Sequence, residues 1–362
     1  MNILRRLPLS RLLLLCASIV AIGASATAIA LAVGGGAKPP AKPLAQAVHD
    51  ALAAPAVEGL SANVTLADHL LEGADLASGH GSGLTSNPLV TGASGRLWIA
   101  KDGRVRLELQ SEKGDTEVIW DGTTITIYDA AEDKIYRYTP EKHESSGTRA
   151  NDSGHEAPSV AKIEEAIEEL RKHADVSEAT PADVAGQPAY TVRVSPQETG
   201  SLIGGGEISF DANTGVPLRA AAYSSTSSAP VVELAATDIS YGPVPDSVFQ
   251  ISPPPGSKVQ TLEPSKDSSE AGDTHKQGAR PTVTSHGHGI ASVEVLQAKA
   301  GKGEGGESST EDLPKVDLGN GVSAGELRTP LGTVLTFVRA GQRYVVAGAV
   351  EPSAVEAIAK GL

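Results

Sequence analysis

The chain has 362 residues, a net charge of −14 at neutral pH and an aromatic content of only 3%. This acidic balance argues against nucleic acid as a partner, because phosphates need lysine and arginine side chains for neutralisation. The single cysteine, Cys16, excludes an internal disulfide, so the fold must depend on a core of Val, Ile, Leu and Ala.

Residues 1–37 have the pattern of a membrane-targeting leader. Arg5, Arg6 and Arg11 form a basic flank, and Leu12 to Val33 is an uncharged apolar run of about 22 residues, long enough to span a bilayer. That length favours an uncleaved signal-anchor helix, whereas the small residues near its end are typical of a cleaved signal peptide. Both interpretations send the rest of the chain outside the cytoplasm. We therefore expect a protein that is anchored to the cytoplasmic membrane or secreted to the periplasm or cell-wall space.

Residues 44–256 are long enough for one domain with its own core. Leu44 to Leu52 has the apolar spacing of a short amphipathic helix. Antiparallel strands are predicted next, because alternating apolar residues are separated by turn residues such as Asp121-Gly122. The segments with this pattern are Arg104–Gln110, Glu117–Trp120, Thr124–Tyr128 and Lys134–Tyr138.

A helix is predicted after this meander, with Ser159 as its N-cap and apolar residues at helical spacing from Val160 to Leu170. Strand patterns then resume at Tyr190 and continue to Val231–Tyr241. Residues 257–315 are predicted as a mostly disordered linker with a short strand near 290–296. Residues 316–362 are predicted as a small β-hairpin followed by a helix.

Three phrases of the sequence resemble the LolA/LolB-like superfamily of lipoprotein carriers, which is related to the RseB regulators and to lipid-carrying lipoproteins of the cell envelope. The first joins Val118–Gly122 to Ile125–Tyr128. The second is Asp211–Arg219, which has the pattern Asp-x-x-Thr-Gly-x-Pro-x-Arg, and the third is the exit Phe249–Gly256. The resemblance covers roughly residues 44–259.

This resemblance implies an α+β fold. It would be a curved antiparallel half-barrel of about ten or eleven strands, closed by helices and preceded here by the N-terminal membrane helix. In that superfamily the space between sheet and helices accepts acyl chains. The anchor-like leader and the extra C-terminal segment depart from the family pattern, and an anchor would put shuttling between membranes in doubt.

Other candidate sites have simpler structural explanations. His286-Gly287-His288 supplies only two imidazoles in a glycine-rich stretch, without a fixed third metal ligand. Gly204-Gly205-Gly206 lacks the Lys-Ser/Thr and the helix that a phosphate loop requires, so a hairpin turn is the better interpretation. No Gly-x-Ser-x-Gly elbow precedes a helix. We therefore expect neither an enzyme nor a cofactor or metal.

The function favoured by the sequence is lipid binding, or binding of lipoprotein acyl chains, in a hydrophobic groove. The second hypothesis is a regulatory or scaffold protein, as in the RseB group, that binds an envelope protein partner. For the groove we nominate the alternating apolar residues that one modest helix would not cover. They are Leu107, Leu109, Trp120, Ile125, Ile127, Val192 and Val194.

Overall fold

The computed structural model describes residues 38–71, 88–112, 114–130, 133–140, 157–250, 256–262, 282–300 and 313–362. The leader, with its predicted membrane helix and Cys16, lies outside these ranges. Among the helices within them, none is both long enough and apolar enough to span a bilayer.

The first part of the chain forms one large, curved and unclosed sheet of 13 strands. Its strand order is β13-β6-β5-β4-β3-β2-β1-β12-β11-β10-β9-β7, and β8 also pairs with β9. The strands are β1 (Gly59–Asp68), β2 (Ala93–Ala100), β3 (Val105–Ser111), β4 (Gly114–Trp120), β5 (Ile125–Asp129), β6 (Lys134–Tyr138), β7 (Ala174–Val176), β8 (Thr180–Val184), β9 (Gln187–Pro196), β10 (Ile203–Asp211), β11 (Pro217–Ser224), β12 (Pro230–Tyr241) and β13 (Lys258–Leu262).

Three helices accompany this sheet: α1 (Leu44–Ala53), the single turn α2 (Pro88–Thr91) and α3 (Val160–Arg171). The predicted α3 is confirmed, and the Ser159 hydroxyl accepts a hydrogen bond from the Lys162 backbone N–H at 3.4 Å, as an N-cap does. α1 and α3 pack against each other and against β9 and β10, in a cluster that contains Leu44, Ala47, Tyr190, Val192 and Phe210.

The predicted α+β half-barrel of about ten or eleven strands therefore needs correction. The structure is mostly β with few helices. The strand number rises to 13 because the short strands β7 and β8 and the edge strand β13 carry little alternation for sequence reasoning to detect. The sheet is also not closed by helices, since α1 and α3 pack on only one side of it.

The alternation predicted for the meander is confirmed in β3. Val105, Leu107 and Leu109 are buried on one face, which we call the core face, while Arg106 and Glu108 lie on the opposite, outer face. Facing residues of an antiparallel pair share a face, so the strand pairings extend both faces across the whole sheet.

The chain returns over the outer face after β12. A 3-10 helix, Asp246–Phe249, crosses β3, where Arg106 Nη1 donates to the Val248 carbonyl at 2.5 Å and Arg104 lies 4.8 Å from the Phe249 ring centre. β13 then pairs in parallel with β6 as the edge strand. This strand, like β14 and β15 below, lies within residues 257–315, where the sequence suggested only one short strand near 290–296.

A second sheet of six strands has the order β14-β15-β19-β18-β17-β16. Its strands are β14 (Thr282–His286), β15 (Val293–Lys299), β16 (Lys315–Asp317), β17 (Ser323–Thr329), β18 (Gly332–Arg339) and β19 (Gln342–Gly348), and helix α4 (Pro352–Lys360) packs on β18 and β19. Val295, Leu335, Val346 and Val355 form its fully buried core.

A short loop of the first sheet contacts the second sheet. The Leu202 N–H and the Ser201 hydroxyl both donate to the Ala349 carbonyl, at 2.7 and 3.0 Å. The Glu198 carboxylate accepts the backbone N–H groups of Ile290 and Ala291 at 3.1 and 3.4 Å. We call these contacts the junction between the two sheets.

Candidate functional site

Two apolar rows cross β2 to β6 on the core face. The pairings align Leu97, Leu107, Val118, Ile127 and Tyr136 in one row, and Ile99, Val105, Trp120, Ile125 and Tyr138 in the next. The two rows together contain no charged side chain, so this part of the core face offers only apolar and tyrosine contacts.

Four of the seven nominated residues are buried. Leu107, Leu109, Ile127 and Val192 expose between 1% and 9% of their surface. Leu107 and Leu109 belong to a cluster that also contains Leu89 of α2. Val192 packs beneath α1 and α3. These side chains form the packed interior of the sheet rather than an accessible wall.

Trp120, Ile125 and Val194 are only half-buried. Trp120 and Ile125 face each other across β4 and β5. Val194 lies on β9, opposite Gly206 and Val176, so seven strand positions separate β4 from it along the sheet. The structure therefore brings Trp120 and Ile125 together and leaves Val194 apart from them in the sheet order.

Three further side chains join Trp120 and Ile125, and sequence reasoning did not nominate them. They are Val118, Tyr136 and Tyr138, each half-buried on the core face. We call Val118, Trp120, Ile125, Tyr136 and Tyr138 the apolar strip. The alternation of β6 contained the signal for the two tyrosines, because Tyr136 and Tyr138 lie two residues apart on one face.

The apolar strip is distinct from the places where the described helices pack. α1 and α3 contact the β9 and β10 side of the sheet, and Val118 is the strip residue that packs against the cluster containing Leu89 of α2. Within the described ranges, the other four strip residues belong to none of the three clusters of core residues. The strip differs from those clusters in being half-buried throughout.

The outer face behind the strip has paired charges beside two buried apolar side chains, Ile119 and Ile135. Arg106 makes ion pairs with Glu108 at 2.5 Å and Glu117 at 2.8 Å, and its guanidinium lies 5.7 Å from the ring centre of Trp98. Burial raises the pKa of Glu117, while the positive charge of Arg106 opposes that shift. These charges neutralise one another in the sheet, so they do not form a free anion-binding patch.

A second outer-face network lies on β10 to β12. Arg219 pairs with Glu207 and, at 2.5 Å, with Glu233, and it donates to the Tyr223 hydroxyl at 3.1 Å. Arg193 stacks 4.1 Å from the Tyr223 ring centre. As in the first network, each arginine is matched by carboxylates or aromatic rings of neighbouring strands.

The turn after β10 matches the second phrase on which the family resemblance rests. Asp211 is fully buried, and its Oδ1 accepts the backbone N–H groups of Asn213 at 2.7 Å and Thr214 at 3.1 Å. The Tyr241 hydroxyl donates to Asp211 Oδ2 at 2.6 Å, and burial together with this carboxylate raises the pKa of Tyr241. The role of this turn is structural: it joins β10 and β11 to β12.

The described residues include a polar depression on the first sheet. This shallow open depression of about 460 Å³ lies beside Asn63 and Val64 of β1, where the pairing skips Thr237 of β12, and Ser94, Arg96 and Gln110 line its other side. No group of three or more His, Cys, Asp or Glu side chains in the described ranges is arranged to hold a metal ion.

No protein-family model and no curated protein sequence matches this chain. Among solved structures, MucB in complex with MucA(peri) matches with 15% identity and a TM-score of 0.39, over 87% of this chain and 94% of that chain. The Pseudomonas aeruginosa MucA/MucB complex matches with the same figures. A LolA superfamily protein from Nitrosomonas europaea has 9% identity and a TM-score of 0.22, over 58% of this chain and 99% of that chain.

These structures belong to the groups that the sequence phrases resemble, since MucB is RseB-like. Likeness at this level of identity and TM-score says nothing about what this chain binds.

Proposed function

We propose that this chain is a non-catalytic cell-envelope protein whose core face binds the acyl chains of a lipid or lipoprotein at the apolar strip. The observation that supports this most is a half-buried row of aromatic and β-branched side chains on the face that should be covered. An amphipathic sheet of this kind gains stability when its apolar face is covered by another element or by an apolar ligand.

The chemistry of the strip fits an acyl chain better than a polar ligand. Val118, Trp120 and Ile125 offer uncharged contact surface, and the rings of Tyr136 and Tyr138 add an apolar body with a polar tip. Covering apolar surface yields about 25 cal/mol per Å², so an acyl chain that buries 200 Å² of strip would gain about 5 kcal/mol before ordering costs.

The seven nominated residues have different roles in this proposal. Trp120 and Ile125 contact the ligand directly. Leu107, Leu109 and Ile127 form the packed layer that holds the strip in place. Val192 supports α1 and α3, and Val194 marks the far end of the core face.

The place of action follows from the leader. Both interpretations of residues 1–37 put the folded part outside the cytoplasm, where lipids and lipoproteins are transported. Because the charges of the outer face are paired within the sheet, that face is less suited to an acyl chain than the apolar strip.

The test uses the full-length chain, delipidated and titrated with a fluorescent fatty acid. Ile125→Glu introduces a charge into the strip, and Val259→Glu makes the same kind of change at a side chain that is 54% exposed on the edge strand β13. We expect micromolar probe binding by the wild type and by Val259→Glu, and at least a tenfold loss for Ile125→Glu with an intact fold.

Two results would contradict the proposal. One is a wild type that binds no acyl probe at micromolar concentration and yields no lipid on solvent extraction. The other is equal probe binding by Ile125→Glu and wild type. The first result would favour the alternative function, a regulatory or scaffold protein that binds an envelope protein.

A further inference from the structure

The edge strand β14 of the second sheet is unprotected. All five of its residues, Thr282 to His286, are exposed, and Val283 exposes 42% of its surface. β14 pairs only with β15, so the backbone groups that point away from β15 have no strand beside them among the described residues. Such an edge is a template for another extended segment.

The other edges of the two sheets differ from β14. β16, at the opposite edge of the same sheet, has only three residues, and two of them are the charged Lys315 and Asp317. β7 is equally short and contains Asp175, and β13 begins with Lys258. Short length and charge discourage strand addition. β14 has five residues and no Lys, Arg, Asp or Glu, and its Thr-Val-Thr sequence favours extended structure.

The side chains around β14 indicate what kind of strand fits there. Val283 pairs with Leu296 on one face, and Thr284 pairs with the buried Val295 on the other. An added strand would place its residues beside Thr282, Thr284 and His286 on one face and beside Val283 and Ser285 on the other. A segment with an uncharged, β-forming centre therefore fits this edge.

The two connecting segments of this chain are poor occupants. Residues 263–281, which lead into β14, and residues 301–312, which follow β15, contain no Val, Ile, Leu, Phe, Tyr or Trp. They consist mainly of Gly, Ser, Glu, Asp and Lys with two prolines. Strands rarely form from such residues, because they cannot cover the apolar neighbours of the edge.

A second copy of the chain is also a poor occupant. Two β14 strands paired about Thr284 would form a contact about 17 Å long, at about 3.4 Å per residue. The surface area that two single strands of this length bury is well below the roughly 1,000 Å² that a stable interface buries. A flexible segment from a partner is not limited in this way, because it can continue past His286 to the Gly289–Ala291 turn and the junction.

We propose that β14 is a docking edge for an extended segment of a partner polypeptide, which adds a seventh strand to the six-stranded sheet. The segment has an uncharged centre rich in β-branched residues, and its backbone supplies most of the recognition. This binding is independent of acyl-chain binding on the first sheet.

Backbone hydrogen exchange of the full-length chain tests the proposal. The probe is a capped eight-residue peptide, Lys-Thr-Val-Thr-Val-Thr-Val-Lys, and the control peptide has proline in place of its central valine. We expect the first peptide to protect those amides of residues 282–286 that point away from β15 and the control peptide to protect none.

The chain provides a matched pair of variants. Val283→Lys protects the edge, whereas Val338→Lys makes the same change on the interior strand β18, at a valine of similar exposure, 39% against 42%. We expect Val283→Lys to weaken peptide binding at least tenfold and Val338→Lys to leave it unchanged.

Four outcomes would overturn the proposal. Protection of the whole of β14 before peptide is added, at every protein concentration, would show that the chain covers its own edge. Protection that rises with protein concentration alone would show that a second copy does. Peptide protection confined to other strands, or equal effects of the two lysine variants, would place the docking edge elsewhere.

Discussion

At the scale of single residues, Asp68 gives the clearest pH dependence. It ends β1 on the core face, where burial raises its pKa from 3.8 to about 6. Between about pH 4 and pH 6 the Asp68 carboxyl is therefore protonated in the folded state and ionised in the unfolded state. The free energy of unfolding therefore falls as the pH rises from about 4 to about 6, and it stays lowered at neutral pH.

Asp68→Asn should remove this loss. The asparagine Oδ1 can still accept the Leu70 N–H, a bond of 2.8 Å in the native protein. We expect the free energy of unfolding to rise by up to about 3 kcal/mol at pH 7 and to lose its decline between pH 4 and pH 6. Urea unfolding of both proteins at a series of pH values measures this. An unchanged pH slope in the variant would contradict it.

Leu109 and Ile125 should respond differently to the same charge. Leu109 is 1% exposed, so Leu109→Glu would bury an unpaired carboxylate at a cost of several kcal/mol, enough to unfold a marginal domain. Ile125 is half-buried on the strip, so Ile125→Glu should keep a cooperative thermal transition. Equal destabilisation of the two variants would mean that the strip is ordinary core.

This pair also shows what the sequence could and could not predict. The alternation of β3 and β5 places Leu109 and Ile125 on an apolar face, and both predictions of face are confirmed. Alternation has no information about depth, which depends on Leu89 of α2 and on other distant segments packed above each position. The accessible part of the face therefore became visible only in the folded chain.

At the scale of elements, the contact between α1 and the turn after β10 depends on Gly215. Its φ is +71°, and a Cβ there would lie 2.4 Å from the Ala51 carbonyl oxygen. Gly186 has a similar φ of +74° with nothing within 4 Å of the same position. The two glycines share their backbone conformation and differ only in this contact.

Gly215→Ala should therefore destabilise the protein by more than Gly186→Ala. The common left-handed conformation costs about 1 kcal/mol in each variant, and the clash with backbone adds about 1–3 kcal/mol at residue 215 alone. Thermal and urea unfolding of the two variants measure the difference. Equal losses would mean that α1 moves away without cost.

Sequence reasoning predicted elements well where they are amphipathic. α3 shows its N-cap and its apolar spacing, and β3 to β6 show alternation between turns, so each is confirmed with small shifts in its ends. β13 and β14 were not recognised, because exposed edge strands such as Lys258–Leu262 have no buried face to impose a pattern. β13 and β14 form strands because their backbones pair with β6 and β15.

At the scale of the whole molecule, residues 263–281 join the two sheets, and their composition predicts the first site of limited proteolysis. Trypsin should cut first at Lys266 or Lys276 and should leave β3 to β6 intact. Mass spectrometry of the early fragments identifies the cut. A first cut between residues 105 and 138 would contradict the division of the chain at this segment.

The central claim, that the apolar strip binds an acyl chain, can be tested with the two tryptophans of the chain. Trp120 lies on the strip, whereas Trp98 lies on the outer face beside Arg106, and both are half-buried. Trp98→Phe leaves Trp120 as the only indole, and Trp120→Phe leaves Trp98.

The measurement is quenching of tryptophan fluorescence by a brominated fatty acid, which acts only at close range, in these two variants of the full-length chain. We expect saturable quenching at micromolar concentration when Trp120 is the only indole, and emission close to the unliganded value when only Trp98 remains. Equal quenching of both indoles, quenching of Trp98 alone, or no quenching of Trp120 would contradict it.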